Sequence, residues 1–156
     1  MTATVDTLRR RILPPRGLLL SLMAQIPLVI ATWPLRPGVV EVIAGACLIA
    51  AGVLLNVWAD RVFSAHGVGV CPFSPAPVLL RGGPYRYTRN PMYLGLVAIT
   101  AGLPLLTGVL ANGWVAVAFF FWLHWGYVIP EEQWLSARFG REFEDYASRI
   151  PRWLVR

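Results

Sequence analysis

Four apolar runs, 17–33, 39–58, 92–110 and 114–129, stand out along a chain whose charged residues gather in the segments between them. Each run is 16 to 20 residues long, close to the ~20 residues that carry a helix across ~30 Å of hydrocarbon. A helix satisfies its own backbone in lipid, so the runs predict four transmembrane helices. Pro27 falls inside the first run and predicts a kinked or tilted span. The basic arm in front of it, Arg9, Arg10, Arg11 and Arg16, has the layout of a signal peptide. No small-residue cleavage site follows cleanly, so the run is read as an uncleaved first span.

The polar segments orient the spans. Four arginines precede the first run, four lie between the second and third (Arg61, Arg81, Arg86, Arg89), and five follow the fourth (Arg138, Arg141, Arg149, Arg152, Arg156). The first connection has only Arg36 and the third has none. The positive-inside rule then places both termini and the middle segment on the cytoplasmic side. The expected fold is an all-α polytopic bundle of four spans, forming a single domain over 1–156, with a cytoplasmic loop and a C-terminal interfacial helix. The outer connections, 34–38 and 111–113, are too short to hold a site.

Composition agrees with a membrane as solvent: 56% of the 156 residues are hydrophobic and 14% charged, far from the soluble average. The net charge of +6 comes from arginine, with no lysine in the chain. Its clustering between apolar runs excludes the spread basic surface of a nucleic-acid binder. Cys47 and Cys71 form neither a disulfide framework nor a metal-ligand spacing.

The segment 60–90 is longer than a plain helix connection needs. Gly82, Gly83 and Pro84 predict a turn that brings backbone close to a neighbour. Asn90 and Pro91 read as the cap and first residue of the third helix. The same helix end can also receive a carboxylate or another electron-rich group. Beyond the fourth run, Glu131 and Glu132 read either as a solvated first turn or as a carboxylate that accepts a ligand's polar hydrogens. On a helix Glu131 shares a face with Leu135 and Phe139 while Glu132 turns about 100° away, so one of the two is expected to face inward. The tail carries Leu135, Phe139, Phe143 and Tyr146 at spacings of three and four, an amphipathic pattern suited to anchoring at the interface, with a break at Gly140. His124, an ionisable group within a span, reads as a packing histidine or a functional one. His66 stands alone in the loop. No Ser/His/Asp set, His/Cys cluster, phosphate loop or dinucleotide glycine pattern occurs.

The stretch Leu79-Leu80-Arg81-Gly82-Gly83-Pro84-Tyr85-Arg86-Tyr87-Thr88-Arg89-Asn90-Pro91-Met92-Tyr93-Leu94-Gly95 resembles the isoprenylcysteine carboxyl methyltransferase family and, more loosely, the membrane phospholipid N-methyltransferases. So does the tail, with Glu131-Glu132-Gln133-Trp134-Leu135, Phe139-Gly140, Tyr146 and Pro151. The likeness runs over 67–153, and its two motifs flank a two-helix hairpin. It implies an S-adenosylmethionine-dependent methyltransferase with no metal. The cofactor would be held by Pro77, Val78, Leu79, Leu80, Tyr85, Asn90, Pro91, Met92, Tyr93 and Glu131. The apolar residues suit an adenine, the tyrosines a sulfonium, and the glutamate a ligand's polar hydrogens.

Two positions depart from the pattern. Asn90 stands where many relatives have histidine. Tyr127 stands where prenylcysteine enzymes have an arginine for the substrate carboxylate, one helical turn before the binding glutamate. The expected acceptor is therefore a lipid-like or small apolar molecule with an O, N or S nucleophile, reached from the bilayer. Tyr127 and His124 are the candidates for a catalytic contribution. A membrane NADPH-dependent reductase of the sterol-reductase type, whose signature is related, and a non-enzymatic small membrane subunit are the competing readings.

Overall fold

The computed structural model describes residues 13–32, 36–65 and 78–155, and all regular structure among them is helical. Helix α1 spans Pro14–Ala31 and α2 spans Val39–Ala65. A 3-10 turn, Gly83–Arg86, precedes α3, Pro91–Thr107. A second 3-10 turn, Leu110–Asn112, opens α4, Gly113–Leu123. A π-helical stretch, His124–Val128, then joins α4 to α5, Ile129–Phe139, and α6, Arg141–Arg149, follows. Arg9, Arg10, Arg11, Trp33, Pro34, His66, Cys71, Pro77 and Arg156 lie outside the described residues.

Three helical stretches are long and apolar enough to cross a membrane: α1, α2 and the continuous Leu110–Phe139. The run expected as the third span forms α3, which is apolar but shorter. At 17 residues it reaches about 26 Å. Gly108 stops it with a left-handed φ of 73°, its N–H donating to the Leu105 carbonyl. The α1 helix begins at Pro14, where proline's missing N–H is one of the orphan donors of a helix start anyway, and it carries Pro27 inside. α2 continues past residue 58, so Asp60 and Arg61 ride on its last turns instead of opening the loop.

Glycines bring α2 and α3 together. A methyl group on Gly45 would meet the Gly102 carbonyl oxygen at 2.7 Å, and one on Gly52 would meet that of Gly95 at 2.6 Å. The pairing is antiparallel and repeats every seven residues, and the fully buried Ala59 continues the series on α2. Backbones this close gain dispersion contacts that larger residues would forbid. The first helix is held differently. Ser21 hydrogen-bonds the Thr100 hydroxyl at 3.2 Å, Gln25 donates to the Thr100 carbonyl at 3.4 Å, and Asn112 donates to the Gln25 carbonyl at 3.0 Å. Near its start, Gly17 lies against the Trp122 ring of α4.

The tail departs from the expected interfacial anchor. The break at Gly140 is present, with φ 51°, and separates α5 from α6. Phe143 and Tyr146, however, are buried in the protein. The Tyr146 hydroxyl donates to the Tyr85 carbonyl at 2.8 Å, and the Arg89 guanidinium lies 5.9 Å from the centre of the Phe143 ring. The apolar stripe of α6 is spent on the loop before α3 and not on lipid.

Candidate functional site

One end of the bundle collects the last turns of α2, the loop before α3, the first turn of α3 and the junction of α4 with α5. Proline chemistry shapes that junction. Pro130 has no N–H for the Gly126 carbonyl, and its ring would crowd that oxygen in a regular helix. The chain widens instead: the Ile129 N–H reaches back five residues to the His124 carbonyl. π-Helical turns are rare and recur at functional sites. This one lies between Leu123 and the two glutamates of α5.

From α5, Glu131 accepts a 2.8 Å hydrogen bond from the Tyr93 hydroxyl on the first turn of α3. The Tyr93 ring centre is 6.2 Å from that of Tyr127. Tyr127 is only 2% exposed and packs with Phe119 and Leu123, with Leu18, Leu96, Val97 and Trp122 around them. A carboxylate and a phenol thus meet at the edge of an apolar compartment drawn from α1, α3 and α4. Tyr85 faces the same carboxylate electrostatically. Burial raises its phenol above the ordinary tyrosine range, and the Glu131 charge adds to the effect.

Glu132 faces inward as well, against the expectation that one of the pair would. It is 8% exposed and takes a two-pronged contact from Arg152, Nε at 3.0 Å and Nη2 at 2.7 Å. Arg89 Nη1 lies 3.5 Å from its other oxygen, and Asn90 Nδ2 donates to that oxygen at 3.5 Å. Glu131 meets α3 beyond its first residue while Glu132 meets the residues just before it, so both acids point at one helix start. Desolvation lowers the Arg89 pKa from its usual value, with the Glu132 charge working against the shift. The hydrogen bond to Glu132 raises that of Arg152.

The segment 150–153 forms a strap across this start. Arg89 N–H donates to the Pro151 carbonyl at 3.0 Å. The Arg152 carbonyl accepts from Thr88 Oγ1 at 2.9 Å and from Asn90 Nδ2 at 3.1 Å. The Trp153 indole donates to His124 Nδ1 at 3.3 Å and lies 4.8 Å, centre to centre, from Phe120. Asn90 occupies the position before α3 without capping it through its side chain. The amide is turned to the strap and to Glu132, which corrects the expected cap, while Pro91 is the first helical residue as expected.

The other expected site residues are spread over this end. Leu80 and Tyr85 are buried with Ala59, and Met92 packs against them, so their side chains fill a core beneath the loop. Val78 is exposed and Leu79 half-buried; Pro77 is outside the described residues. Gly83, with φ 58°, lies against Val62 and Trp58 of α2, which is the close approach the glycine turn predicts. His124 is tied to the strap rather than to Tyr93 or Glu131. Sequence reasoning did not reach Arg152 and Trp153 as partners of the site, because each meets a residue 20 or 29 positions away with no pattern linking them.

Helices alone among the described residues, several of membrane length, with the polar groups of two motifs meeting at one helix start, are the class this geometry defines. The phospholipid methyltransferase family matches over residues 40–142, which hold α2 through the start of α6, and the chain belongs to that family. It is also similar to the steroid 5-alpha-reductase DET2 of Solanum lycopersicum, 28% identical over 102 residues. That match covers 64% of this chain and 37% of the relative, so the chain spans well under half the length of the curated relative it matches. No solved structure matches it.

Proposed function

We propose that the protein is an integral membrane methyltransferase that uses S-adenosylmethionine and methylates an O, N or S nucleophile of a lipid-like or small apolar acceptor. The observation that carries this reading is the Tyr93–Glu131 hydrogen bond at the edge of the Tyr127 compartment, within the family-matched region. The residues present suit the cofactor: a carboxylate for its polar hydrogens and phenol rings for its cation. When bound, S-adenosylmethionine supplies an activated methyl group on a good leaving group. The chain's own residues then bind, align and exclude water. Pro77, Val78, Leu79, Leu80, Tyr85, Asn90, Pro91, Met92, Tyr93 and Glu131 make the cofactor side, in a single membrane domain whose binding part is 67–153.

Tyr127 presents a phenol, not a guanidinium, to the acceptor, which favours a neutral head over a carboxylate. His124, with Nδ1 accepting from Trp153, would act on the acceptor only through the strap it is tied to. Four spans with both termini inside, α3 being the short one, set the site on the cytoplasmic face by the arginine balance. The acceptor comes from the bilayer.

Titration calorimetry and thermal shift of detergent-purified protein test the reading. S-adenosylmethionine and S-adenosylhomocysteine are expected to bind and stabilise the wild type, and Glu131→Ala and Tyr93→Phe to weaken binding by roughly tenfold or more, the loss of a charge-assisted contact. The absence of any response to either compound at millimolar concentration would sink it. The likeness to a steroid 5-alpha-reductase favours a second reading, an NADPH-dependent reductase, and stabilisation by NADPH alone would establish that one instead.

A further inference from the structure

The two adjacent acids of α5 divide their work. Glu131 is half-buried at the Tyr93 phenol, whereas Glu132 is buried and surrounded by Arg152, Arg89 and Asn90. Glu132 therefore has no face left for a ligand. What it holds is the strap, and the strap holds the residues before α3: Thr88 and Asn90 both donate to the Arg152 carbonyl, and Arg89 donates to that of Pro151. Tyr93 begins one turn later on that same helix.

From this geometry we infer that Glu132 is a positioning residue, which fixes the α3 start against α5 through Arg152 and so sets the distance and angle at which Tyr93 meets Glu131. The role rests on the methyl-transfer reading for its ligand but not for its mechanics. Neighbouring side chains set the direction of the force. Arg89 and Arg152 are both cations, and Glu132 is the acid that lies between them. Without its charge the two guanidinium groups repel, and the strap that one of them belongs to is released. Arg152 is the more exposed of the two at 39% of its side chain, against 14% for Arg89, so opening begins on the strap side. Release also withdraws Trp153 from His124, which couples the tail to the π-helical junction.

A double-mutant cycle in S-adenosylhomocysteine affinity separates positioning from plain destabilisation. Glu132→Gln and Arg152→Gln are each expected to weaken binding by roughly tenfold, the scale of a lost supporting contact, and Arg152→Lys by less. The double variant is expected to be no weaker than the worse single one. Hydrogen exchange at 150–155 should rise in both single variants and stay at the wild-type level in Tyr93→Phe, which loses affinity by a different route. Additive losses, or unchanged affinity with a released strap, overturn the role while leaving the methyl-transfer reading intact. Wild-type protein that binds no S-adenosylhomocysteine overturns the reading and the role together. If Glu132→Gln does not fold, Arg152→Gln at the exposed partner carries the test alone: a freed strap with unchanged affinity overturns the role.

Discussion

Tyr146 shows how a side chain chosen for one environment comes to serve another. Its spacing from Phe143 suits a lipid-facing helix stripe, yet its hydroxyl is spent on the Tyr85 carbonyl and its ring is buried. Desolvation pushes its phenol up to about 12, with Arg89 and Arg81 pulling against the shift. An unfolded tyrosine ionises near 10, so the folded chain binds the extra proton between those values, and stability is complete below pH ~10 and lost as pH rises through the folded value. Thermal unfolding in detergent from pH 8 to 11.5 is expected to show this decline above pH ~10. Tyr146→Phe is expected to cost about 1 kcal/mol at pH 8 and to flatten the alkaline fall. The residue types at the site were legible from the motifs: Tyr93, Glu131, Asn90 and Pro91 stand together at one helix start. The partners were not. Asn90 reads as a cap because asparagine before proline is a local signal, and local signals cannot report that an arginine 62 residues on presents its carbonyl to the same amide.

Helices were more legible than their ends. Apolar length shows where α1, α2 and α4 lie, but not that α2 runs on to Ala65, since Asp60 and Arg61 are polar without being helix breakers. What joins α2 to α3 was written in the chain as Gly45, Gly52 and Ala59 against Gly102 and Gly95, a seven-residue spacing that hydrophobic periodicity overlooks because glycine carries little hydropathy. Gly52→Val and Gly95→Val are each expected to destabilise the protein by about 1–3 kcal/mol through overpacking, whereas Gly113→Val, where an added Cβ meets nothing within 4 Å, should cost less. Denaturant or thermal unfolding in one detergent compares them directly. α2 thus forms the wall on which α3, and with it Tyr93, is seated.

At the scale of the whole molecule, the polar groups of α3 and α5 and the strap meet at one end, and the Ser21, Gln25, Thr100 and Asn112 bonds tie α1 to the rest away from it. The proposal that the site end faces the cytoplasm rests on the arginine balance. Reporter fusions read this: a cytoplasm-active reporter at either terminus is expected to work and a reporter active only outside to fail, and the opposite pattern at the C-terminus would reverse the sidedness. The family and the general class were readable in advance because two motifs at opposite ends of a hairpin constrain each other. The packing that aligns them was not, because it depends on carbonyl and guanidinium directions that spacing does not encode.

The π-helical stretch His124–Val128 amounts to one residue added to an otherwise regular helix. Winding the same residues as a regular α-helix would turn everything beyond them by about 100°, carrying Glu131 and Glu132 off the face that meets α3, whereas removing one residue as the turn closes would keep them there. Relatives with an unbroken fourth helix should therefore differ by a one-residue gap between Leu123 and Ile129. Aligned without that gap, they would appear to set a different residue opposite Tyr93 while keeping the same acid in space.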